Sequence, residues 1–280
     1  MRDTVVIIGV GGMGEACARR LGSGRHLVLA EHDSARVERF AEALAADGYS
    51  VSAHALDVSD RAAVHAFADA AGAAGRLGVL VHTAGLTPRN ASADAIHRVN
   101  LLGAAHVFDA FLPLAAPGSV AFSLSSIAAF SAPIAPDLSR RLALDPHHKL
   151  METVRLIEGW DTPGGAYWIA KRTVQLRAEA DAIAWGARGG RVLSISPGVI
   201  ATPMNRVPSA FSEHINQSGM NSPAGRLGTA DDIAAAIEWL SGPAASYITG
   251  CDIRIDGGLV AAQVNGAVAA KPMTAMHGED

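Results

Sequence analysis

The sequence is poor in the features that mark several common classes of protein. Aromatic residues make up only 5% of its 280 residues, so a platform for stacking nucleic-acid bases is not expected. The formal net charge is −4 and the basic residues form no stripe, which argues against nucleic acid as a partner. No run of about 18 apolar residues is present, so we expect no membrane-spanning helix.

Cysteine is scarce and histidine is scattered. The two cysteines, Cys17 and Cys251, lie far apart, and His147 and His148 form the only adjacent pair among the 11 histidines. No spacing of His, Cys, Asp or Glu matches a metal-ligand motif, so we expect no metal site. We expect a reducing, cytoplasmic setting, without a signal peptide, because an apolar run begins already at Thr4.

What the sequence does have is 49% hydrophobic residues and a regular alternation of short β-branched runs with helical stretches. This alternation predicts a parallel sheet with helices on both faces. No linker interrupts it, so we expect a single doubly wound α/β Rossmann domain over residues 1–280. The predicted strands are 4–8, 26–30, 49–55, 77–82, 118–124, 191–196 and 251–255, and the main predicted helices are 15–21, 34–46, 91–112, 166–185 and 231–240.

A glycine cluster follows the first predicted strand directly. Its members are Gly9, Gly11, Gly12, Met13 and Gly14. Glycines between a strand and a helix let the backbone approach a pyrophosphate, and the helix N-terminus offers free N–H groups to that anion. The cluster therefore predicts a dinucleotide site, although an ordinary tight turn between strand and helix has the same appearance.

Acidic residues at the ends of the next strands indicate which dinucleotide would bind. Glu31 lies about 20 residues past the glycines, where a carboxylate can bind a ribose 2′-hydroxyl, and Asp33 is the second choice. Such a carboxylate repels a 2′-phosphate, so we expect NAD, with NADP the less favoured cofactor. Asp57 can accept from an adenine amine or cap the helix that begins near Arg61, and both roles are compatible.

Tyr167 and Lys171 form a candidate acid/base pair. They are four residues apart in a predicted helix and therefore share one face. A neighbouring ammonium stabilises a phenolate and lowers the pKa of the tyrosine, which suits it to proton transfer near neutral pH. The spacing alone is weak evidence, because Tyr and Lys occur four residues apart on many solvated helices.

Further polar and glycine-containing segments follow the ends of later predicted strands. They are Ala84–Gly85, Ser126 and Pro197–Gly198. The carboxyl ends of parallel strands share one edge of the sheet. We therefore expect these segments to line one crevice together with the glycine cluster, Glu31 and Asp57.

Taken together in this order, the motifs resemble the short-chain dehydrogenase/reductase family from Val5 to Gly258. The matching features are the glycine cluster, Asp57–Val58, Ala84–Gly85, Asn100, Ser125–Ser126, Tyr167 with Lys171, Pro197–Gly198 with Thr202, and Asp256–Gly257–Gly258. A looser similarity, over the 131–165 region and a few other segments, is to bacterial 3α-hydroxysteroid dehydrogenase/carbonyl reductases.

The resemblance implies a role for each member of the candidate site. Tyr167 would exchange a proton with the substrate oxygen, and Ser126, rather than Ser125, would hydrogen-bond that oxygen. Lys171 would lower the pKa of Tyr167 and hold the nicotinamide ribose, and Asn100 would anchor a water in a proton relay. The cofactor would transfer the hydride. The residues expected around it are the glycine cluster, Glu31, Asp57, Val58, Ala84, Gly85, Tyr167, Lys171, Pro197, Gly198, Ile200 and Thr202.

Three departures from the family pattern are visible. The glycine loop is one residue shorter, with Ile8 where a Thr is usual, and Thr83 replaces a frequent Asn. Ser126 and Tyr167 are also further apart than usual, because residues 131–165 form an insertion with apolar residues at largely helical spacing. We expect this insertion either to pack on the domain or a partner subunit, or to form a flap that turns Trp160 towards substrate.

Two further segments have expected roles. Residues 203–224 follow the nicotinamide-lining segment and are expected to form a lid that excludes water from the substrate, although a surface loop is the alternative. Residues 259–280 form a tail, rich in Ala, Gly and Met, that we expect to fray or to dock across a subunit interface.

The function expected from the sequence is an NAD(H)-dependent oxidoreductase that interconverts a secondary alcohol and a ketone. The substrate would be a small hydrophobic or cyclic molecule, such as a steroid-like or carbonyl compound. The alternatives are an NADP-linked 3-ketoacyl-thioester reductase and a non-enzymatic dinucleotide sensor. The resemblance further implies a homodimer or homotetramer, and the insertion favours the dimer if it obstructs one of the usual interfaces.

Overall fold

The computed structural model describes residues 3–131, 133–201, 217 and 219–267. Within these ranges, seven strands form one sheet in the order β3-β2-β1-β4-β5-β6-β7, and every neighbouring pair is parallel. The strands are β1 (Asp3–Ile8), β2 (His26–Glu31), β3 (Ser50–Ala55), β4 (Arg76–His82), β5 (Val120–Leu124), β6 (Arg191–Pro197) and β7 (Cys251–Ile255). The predicted doubly wound Rossmann fold is confirmed.

Helices alternate with the strands along the chain. They are α1 (Gly12–Leu21), α2 (Ser34–Ala46), α3 (Arg61–Ala74), α4 (Ala93–Ile96), α5 (Gly103–Phe111), α6 (Pro136–Leu144), α7 (Leu150–Val154), α8 (Pro163–Ala187), α9 (Ala230–Ser241) and α10 (Leu259–Val264). A π-helical turn, His97–Leu102, joins α4 to α5, and short 3₁₀ turns lie at Leu112–Leu114, Ile127–Phe130, His147–Lys149 and Pro243–Ala245.

Two apolar cores cover the two faces of the sheet, because the inner strands carry β-branched and other apolar residues on both sides. Side chains of alternate residues, such as Val5 and Ile7 of β1, pack with α1 and α9 on one face. Val6 and Ile8 of β1 point to the other face and pack in a core shared with α3 and α5. Because helices cover both faces of the sheet, a ligand can approach the inner strands only at their ends.

The chain reverses its winding direction between β1 and β4, which are adjacent in the sheet. A crevice outside the carboxyl ends of the strands at such a point is where open α/β sheets bind ligands. The backbone ties the segments together there, because the amides of Thr83 and Ala84 both donate to the carbonyl of Ile8 at 2.7 and 2.9 Å. The glycine cluster and Ala84–Gly85 are therefore held side by side.

The region between β5 and α8 contains α6 and α7, which pack on the domain. A third core cluster buries Leu142, Leu150 and Val154 of this region against Trp168 and Ile169 of α8. The inserted helices thus pack against the same helix that carries Tyr167. A contact of this region with substrate stays a prediction.

The observed elements differ from the predicted ones in a few places. Helix α1 begins at Gly12, three residues earlier than predicted, because the second half of the glycine cluster forms its first turn. The predicted helix over 91–112 is interrupted by the π-helical turn. Thr202, most of the proposed lid (203–216 and 218) and the last residues of the tail (268–280) lie outside the described residues.

Cys17 and Cys251 carry free thiols. Among the described residues, no helix combines the length and the apolar character that crossing a bilayer requires.

Candidate active site

The glycine cluster brings its backbone against the end of β4. Gly9 has φ +98°, a left-handed conformation that favours glycine, and a Cβ at this position would lie 2.5 Å from the amide nitrogen of Ala84. The hydroxyl of Thr83 donates to the carbonyl oxygen of Gly9 at 2.6 Å. Thr83, which replaces a frequent Asn of the family, therefore still makes a bond that joins these two segments.

The start of α1 is open to an anion. Its N-cap, Gly11, has no side chain to bond the free amides of the first turn, so these N–H groups are available together with the positive end of the helix dipole. A close backbone approach at Gly9 and an uncapped helix start are what a dinucleotide pyrophosphate requires. The residues present therefore fit the expected cofactor.

Glu31 ends β2 beside this loop. One carboxylate oxygen accepts from the amide of Val10 at 2.9 Å and the other accepts from the amide of His32 at 2.8 Å. The bond to Val10 holds the negative charge against the glycine cluster. Arg36, in the first turn of α2, pairs with Glu15 at 3.3 Å, so its cation is directed to α1.

Of the two roles predicted for Asp57, binding an adenine amine and capping a helix, the structure leaves only the first. Its carboxylate accepts from the amide of Ser59 at 2.9 Å, whereas the N-cap of α3 is Asp60, which accepts from the amides of Ala62 and Ala63. The prediction that Asp57 caps this helix was wrong, because the cap lies directly before Arg61 and Asp57 is three residues too early. The adenine role of Asp57 stays a prediction. The carbonyl of the next residue, Val58, lies 3.2 Å from the ring nitrogen Nδ1 of His106.

Helix α8 places Tyr167 and Lys171 on one face. Thr162 caps the helix by accepting from the amide of Gly165 at 3.0 Å, and Pro163 occupies its first position. The Lys171 ammonium donates to the carbonyl of Leu124, at the end of β5, at 2.7 Å. The lysine is buried, and burial lowers its pKa to about 8.

The pKa of Tyr167 differs from the prediction. Burial raises this pKa above its usual value, and a hydrogen bond with Ser126 acts in the opposite direction. The ammonium of Lys171 lies 5.7 Å from the centre of the phenol ring and is directed to the carbonyl of Leu124 instead. The protein surroundings of the phenol therefore outweigh the expected effect of the lysine in this structure.

The two adjacent serines after β5 have different surroundings. The hydroxyl of Ser125 is buried and donates to the carbonyl of Lys171 at 2.7 Å, so it holds α8 to the sheet. Ser126 is only partly buried, caps the 3₁₀ turn by accepting from the amide of Ala128 at 3.1 Å, and acts to lower the pKa of Tyr167. This arrangement supports the prediction that Ser126, rather than Ser125, faces the substrate.

Asn100 lies in the π-helical turn and is buried. Its side-chain oxygen accepts from the amide of Leu86 at 2.7 Å, and its side-chain nitrogen donates to the carbonyl of Leu86 at 2.9 Å. A Cβ on Gly85 would lie 3.3 Å from this oxygen and 3.6 Å from the Lys171 ammonium. Asn100, Gly85 and Lys171 are therefore neighbours, and the water-anchoring role of Asn100 stays a prediction.

The far side of the crevice is formed by the turn after β6. The Gly198 amide donates to the carbonyl of Ile255 at 2.9 Å, and a Cβ on Gly198 would lie 2.6 Å from the Cα of Asp256. Pro197 ends β6, and Ile200 is buried and lines a cavity of about 230 Å³ with Gly198. The contact of these segments with a nicotinamide stays a prediction.

Several residues that hold the site were not predicted from the sequence. Leu86 and Leu124 act through backbone groups, so their side chains carry no signal of the role. The structural role of Ser125 could have been inferred from the sequence, because this residue directly follows an apolar strand and is therefore expected to be buried. Together these contacts fix the polar groups of Asn100, Ser126, Tyr167 and Lys171 around one location, an arrangement that can bind an oxygen atom and exchange a proton with it.

The chain has close relatives among known proteins. A family model described as enoyl-(acyl carrier protein) reductase matches residues 9–135 and 151–260. The short-chain dehydrogenase/reductase bsc3 of Alternaria brassicicola is 31% identical over 274 residues, which cover 93% of this chain and 96% of that protein.

The chain belongs to the short-chain dehydrogenase/reductase family.

A second member is the 3-alpha-hydroxysteroid dehydrogenase/carbonyl reductase of Comamonas testosteroni, 34% identical over 188 residues, or 64% of this chain and 71% of that protein. The solved structure of a short-chain dehydrogenase/reductase from Serratia marcescens superimposes with a TM-score of 0.73 at 25% identity and covers 92% of this chain and 97% of that one. Membership of the family makes the chain a dehydrogenase/reductase that binds NAD or NADP.

The family model also defines the additional segment more narrowly than the sequence alone. Its match stops at residue 135 and resumes at residue 151, which leaves out α6 and the 3₁₀ turn His147–Lys149. Residues 151–165, which were predicted as part of the insertion, fall inside the match. Relative to this family model, the addition is therefore residues 136–150.

Proposed function

We propose that the protein is an NAD(H)-dependent oxidoreductase that interconverts a secondary alcohol and a ketone. The observation that supports this proposal is the placement of Ser126 close enough to Tyr167 to lower the pKa of the phenol, with Lys171 and Asn100 beside them. A hydroxyl and a phenol that converge on one point suit a substrate oxygen that gains or loses a proton.

Each side chain has a distinct part in this proposal. The hydroxyl of Ser126 and the phenol of Tyr167 hold the substrate oxygen, and Tyr167 gives or takes its proton. Lys171 keeps a positive charge near the phenol when protonated, and Asn100 holds the segment at Leu86 in place. The bound nicotinamide supplies or accepts the hydride.

Replacing Tyr167 tests this proposal directly. Tyr167→Phe removes the hydroxyl and keeps the ring, so turnover should fall by at least about 10²-fold, the upper range of acid–base contributions being about 10⁴, while NADH binding stays close to wild type. The assay follows NADH formation by absorbance over steroid, cyclic and aliphatic alcohols, and NADH affinity follows from fluorescence titration. Near-normal turnover would contradict the proposal.

The preference for NAD over NADP rests on Glu31. Its carboxylate lies against the glycine cluster through the 2.9 Å bond from the Val10 amide, where a charge would repel a 2′-phosphate. An NADP-linked 3-ketoacyl-thioester reductase is the rival within the family. Tighter binding of NADPH than NADH, together with reduction of a 3-ketoacyl thioester, would favour that rival.

A hydrophobic or cyclic alcohol or ketone is the substrate class we propose. Helices α6 and α7 pack apolar side chains such as Leu142 and Leu150 beside α8, and the Comamonas relative is named for a hydroxysteroid and for carbonyl compounds. The panel of alcohols described above tests this class. Cofactor binding without oxidation or reduction of any panel member would instead favour a dinucleotide sensor.

We also propose a homo-oligomer, with a dimer favoured over a tetramer. The segment that leads into the edge strand β7 exposes two large apolar side chains, Trp239 and Tyr247, which suits a subunit contact at that edge. The additional helix α6 covers part of α8 within the same chain. Sedimentation velocity measures the assembly, and a monomer at micromolar concentration would contradict this proposal.

A further inference from the structure

A hydrogen bond from His97 links the helical segment of Asn100 to that of Tyr167. His97 opens the π-helical turn that contains Asn100, and its Nε2 lies 2.8 Å from the backbone carbonyl oxygen of Trp160. Because a carbonyl oxygen can only accept, Nε2 carries the proton and donates it. Trp160 lies two residues before Thr162, the N-cap of α8.

The imidazole is held in this orientation by more than one contact. His97 is 1% exposed, and burial lowers its pKa, so the ring is neutral near pH 7. Its ring packs against that of Trp160 with centroids 6.3 Å apart, and the guanidinium of Arg155 lies 5.9 Å from the same indole. The second ring nitrogen, Nδ1, is buried and has no hydrogen-bond partner among the residues that the structure describes.

The bond from Nε2 to the carbonyl of Trp160 therefore joins the π-helical turn to the segment that leads into α8.

The π-helical turn is the element that this bond holds. Such turns are rare and occur mostly as single turns inside α-helices, frequently at functional sites. One residue fewer in the turn would rotate the following residues by about 100° about the helix axis. Asn100 would then lose its two bonds to the backbone of Leu86, which are 2.7 and 2.9 Å long.

We propose that His97 is a positioning residue that fixes Asn100 relative to Tyr167 by tying the π-helical turn to the entrance of α8. The inference rests on the proposed function, because it concerns the spacing of two residues of the proposed proton-transfer site. It assigns a role to a residue that none of the motifs contains, and it connects the Arg155–Trp160 segment to the site through a backbone carbonyl.

The test compares His97→Ala with His97→Gln, whose amide can donate to the same carbonyl. His106→Ala is the matched control, because His106 is also buried, lies on the following helix α5 and bonds through its ring to the carbonyl of Val58 at 3.2 Å. The measurements are kcat and KM for the best alcohol, NADH affinity, thermal unfolding, and amide hydrogen exchange of residues 97–102 without cofactor.

His97→Ala should lower kcat by about 10- to 100-fold, the cost of misplacing groups near the chemistry, with NADH affinity unchanged. Exchange over 97–102 should be about tenfold faster. His97→Gln should recover most of both values. His106→Ala should destabilise the fold comparably without faster exchange in 97–102.

Two results would overturn the proposal: unchanged exchange and kcat in His97→Ala, or equal loss of kcat in His97→Ala and His106→Ala. If the wild-type protein oxidises no alcohol, the proposed function fails. The exchange of residues 97–102 then decides by itself whether His97 holds the turn.

Discussion

At the scale of single residues, burial dominates the chemistry of the site. Lys171 is 7% exposed, and its ammonium donates to a neutral carbonyl rather than to a carboxylate. That bond therefore does not neutralise the positive charge. His82, at the end of β4, has its pKa lowered to about 3 by burial and by the charge of Lys171. The region behind the Tyr167 helix therefore carries one positive charge from Lys171 and keeps His82 neutral.

The unfavourable burial of Lys171 predicts a pH-dependent stability. Its pKa is about 8 in the folded protein against 10.5 for a free lysine, so the unfolded chain binds more protons between these two values and stability should rise with pH across this window. In Lys171→Met this contribution is absent. The melting temperature of the variant minus that of wild type should fall by roughly 5 °C between pH 7 and pH 10.

Thermal melts at pH 7, 8, 9 and 10 measure this difference. A difference that stays constant over the range would show that Lys171 is not destabilised by burial. Asp181, on the same helix but with its pKa raised to about 6, titrates below this window and does not interfere.

At the scale of elements, the additional helix α6 is built as part of the core. Leu142 is 0% exposed, whereas Leu144, two residues on, is 61% exposed. Arg177 of α8 donates to the carbonyl of Asp145 at 3.0 Å, directly after the helix. The family addition is thus joined to α8 by both apolar and polar contacts.

Two leucine truncations measure how firmly α6 is packed. Leu142→Ala removes buried methyl groups and should destabilise the protein by about 2–5 kcal/mol. Leu144→Ala is the matched control on the same helix and should change stability by less than about 0.5 kcal/mol. Urea unfolding gives both values, and similar values for the two variants would contradict the packing described for α6.

Sequence patterns predicted the strands well because each strand is a local apolar run that ends in a glycine or polar cluster. Strand β7 and helix α2 have the predicted bounds, and the other strands begin or end within one or two residues of them. The π-helical turn was not predictable in this way. Its residues His97 and Asn100 bond to Trp160 and Leu86, which lie 63 and 14 residues away in the sequence, and a local pattern does not reveal such contacts.

In the candidate site, the positions of residues were predictable from the sequence, whereas the effect of burial on their pKa values was not. Glycine, acidic and serine residues after strands indicated where Gly9, Glu31 and Ser126 would lie, since parallel strands bring their carboxyl ends to one edge of the sheet. The raised pKa of Tyr167 was missed, because it depends on burial by segments that a local spacing of Tyr and Lys does not reveal.

At the scale of the whole molecule, one edge of the sheet carries the groups for both halves of the proposed cofactor. Gly9 and Glu31 lie on the β1 and β2 side, and Gly198 lies on the β6 side. Binding across this edge should stabilise the folded state, because the unfolded chain has no such arrangement.

Cofactor addition should therefore raise the melting temperature. At a cofactor concentration of about 100 times Kd, the free energy of unfolding rises by about 2.7 kcal/mol. This corresponds to about 5–10 °C in melting temperature for a chain of this size. At equal concentration, NADH should give a larger shift than NADPH. Glu31→Gln keeps an oxygen for the Val10 amide and removes the charge, so it should narrow the difference between the two cofactors.

Glu38→Gln, on the exposed face of α2, is the control for loss of one negative charge and should leave the difference unchanged. If NADPH already gives the larger shift with the wild-type protein, the role assigned to Glu31 is wrong. Differential scanning fluorimetry with both reduced cofactors provides the measurement.

The strand order also has a consequence for synthesis on the ribosome. Strand β1 pairs with β2 and β4, and β2 pairs with β3, so the first 82 residues contain a four-stranded half-sheet with the glycine cluster and Glu31. At about 5–20 residues per second, the ribosome needs roughly 4–17 s more to reach Tyr167. The ribosome thus finishes the strands that carry Gly9 and Glu31 before it reads the codon for Tyr167.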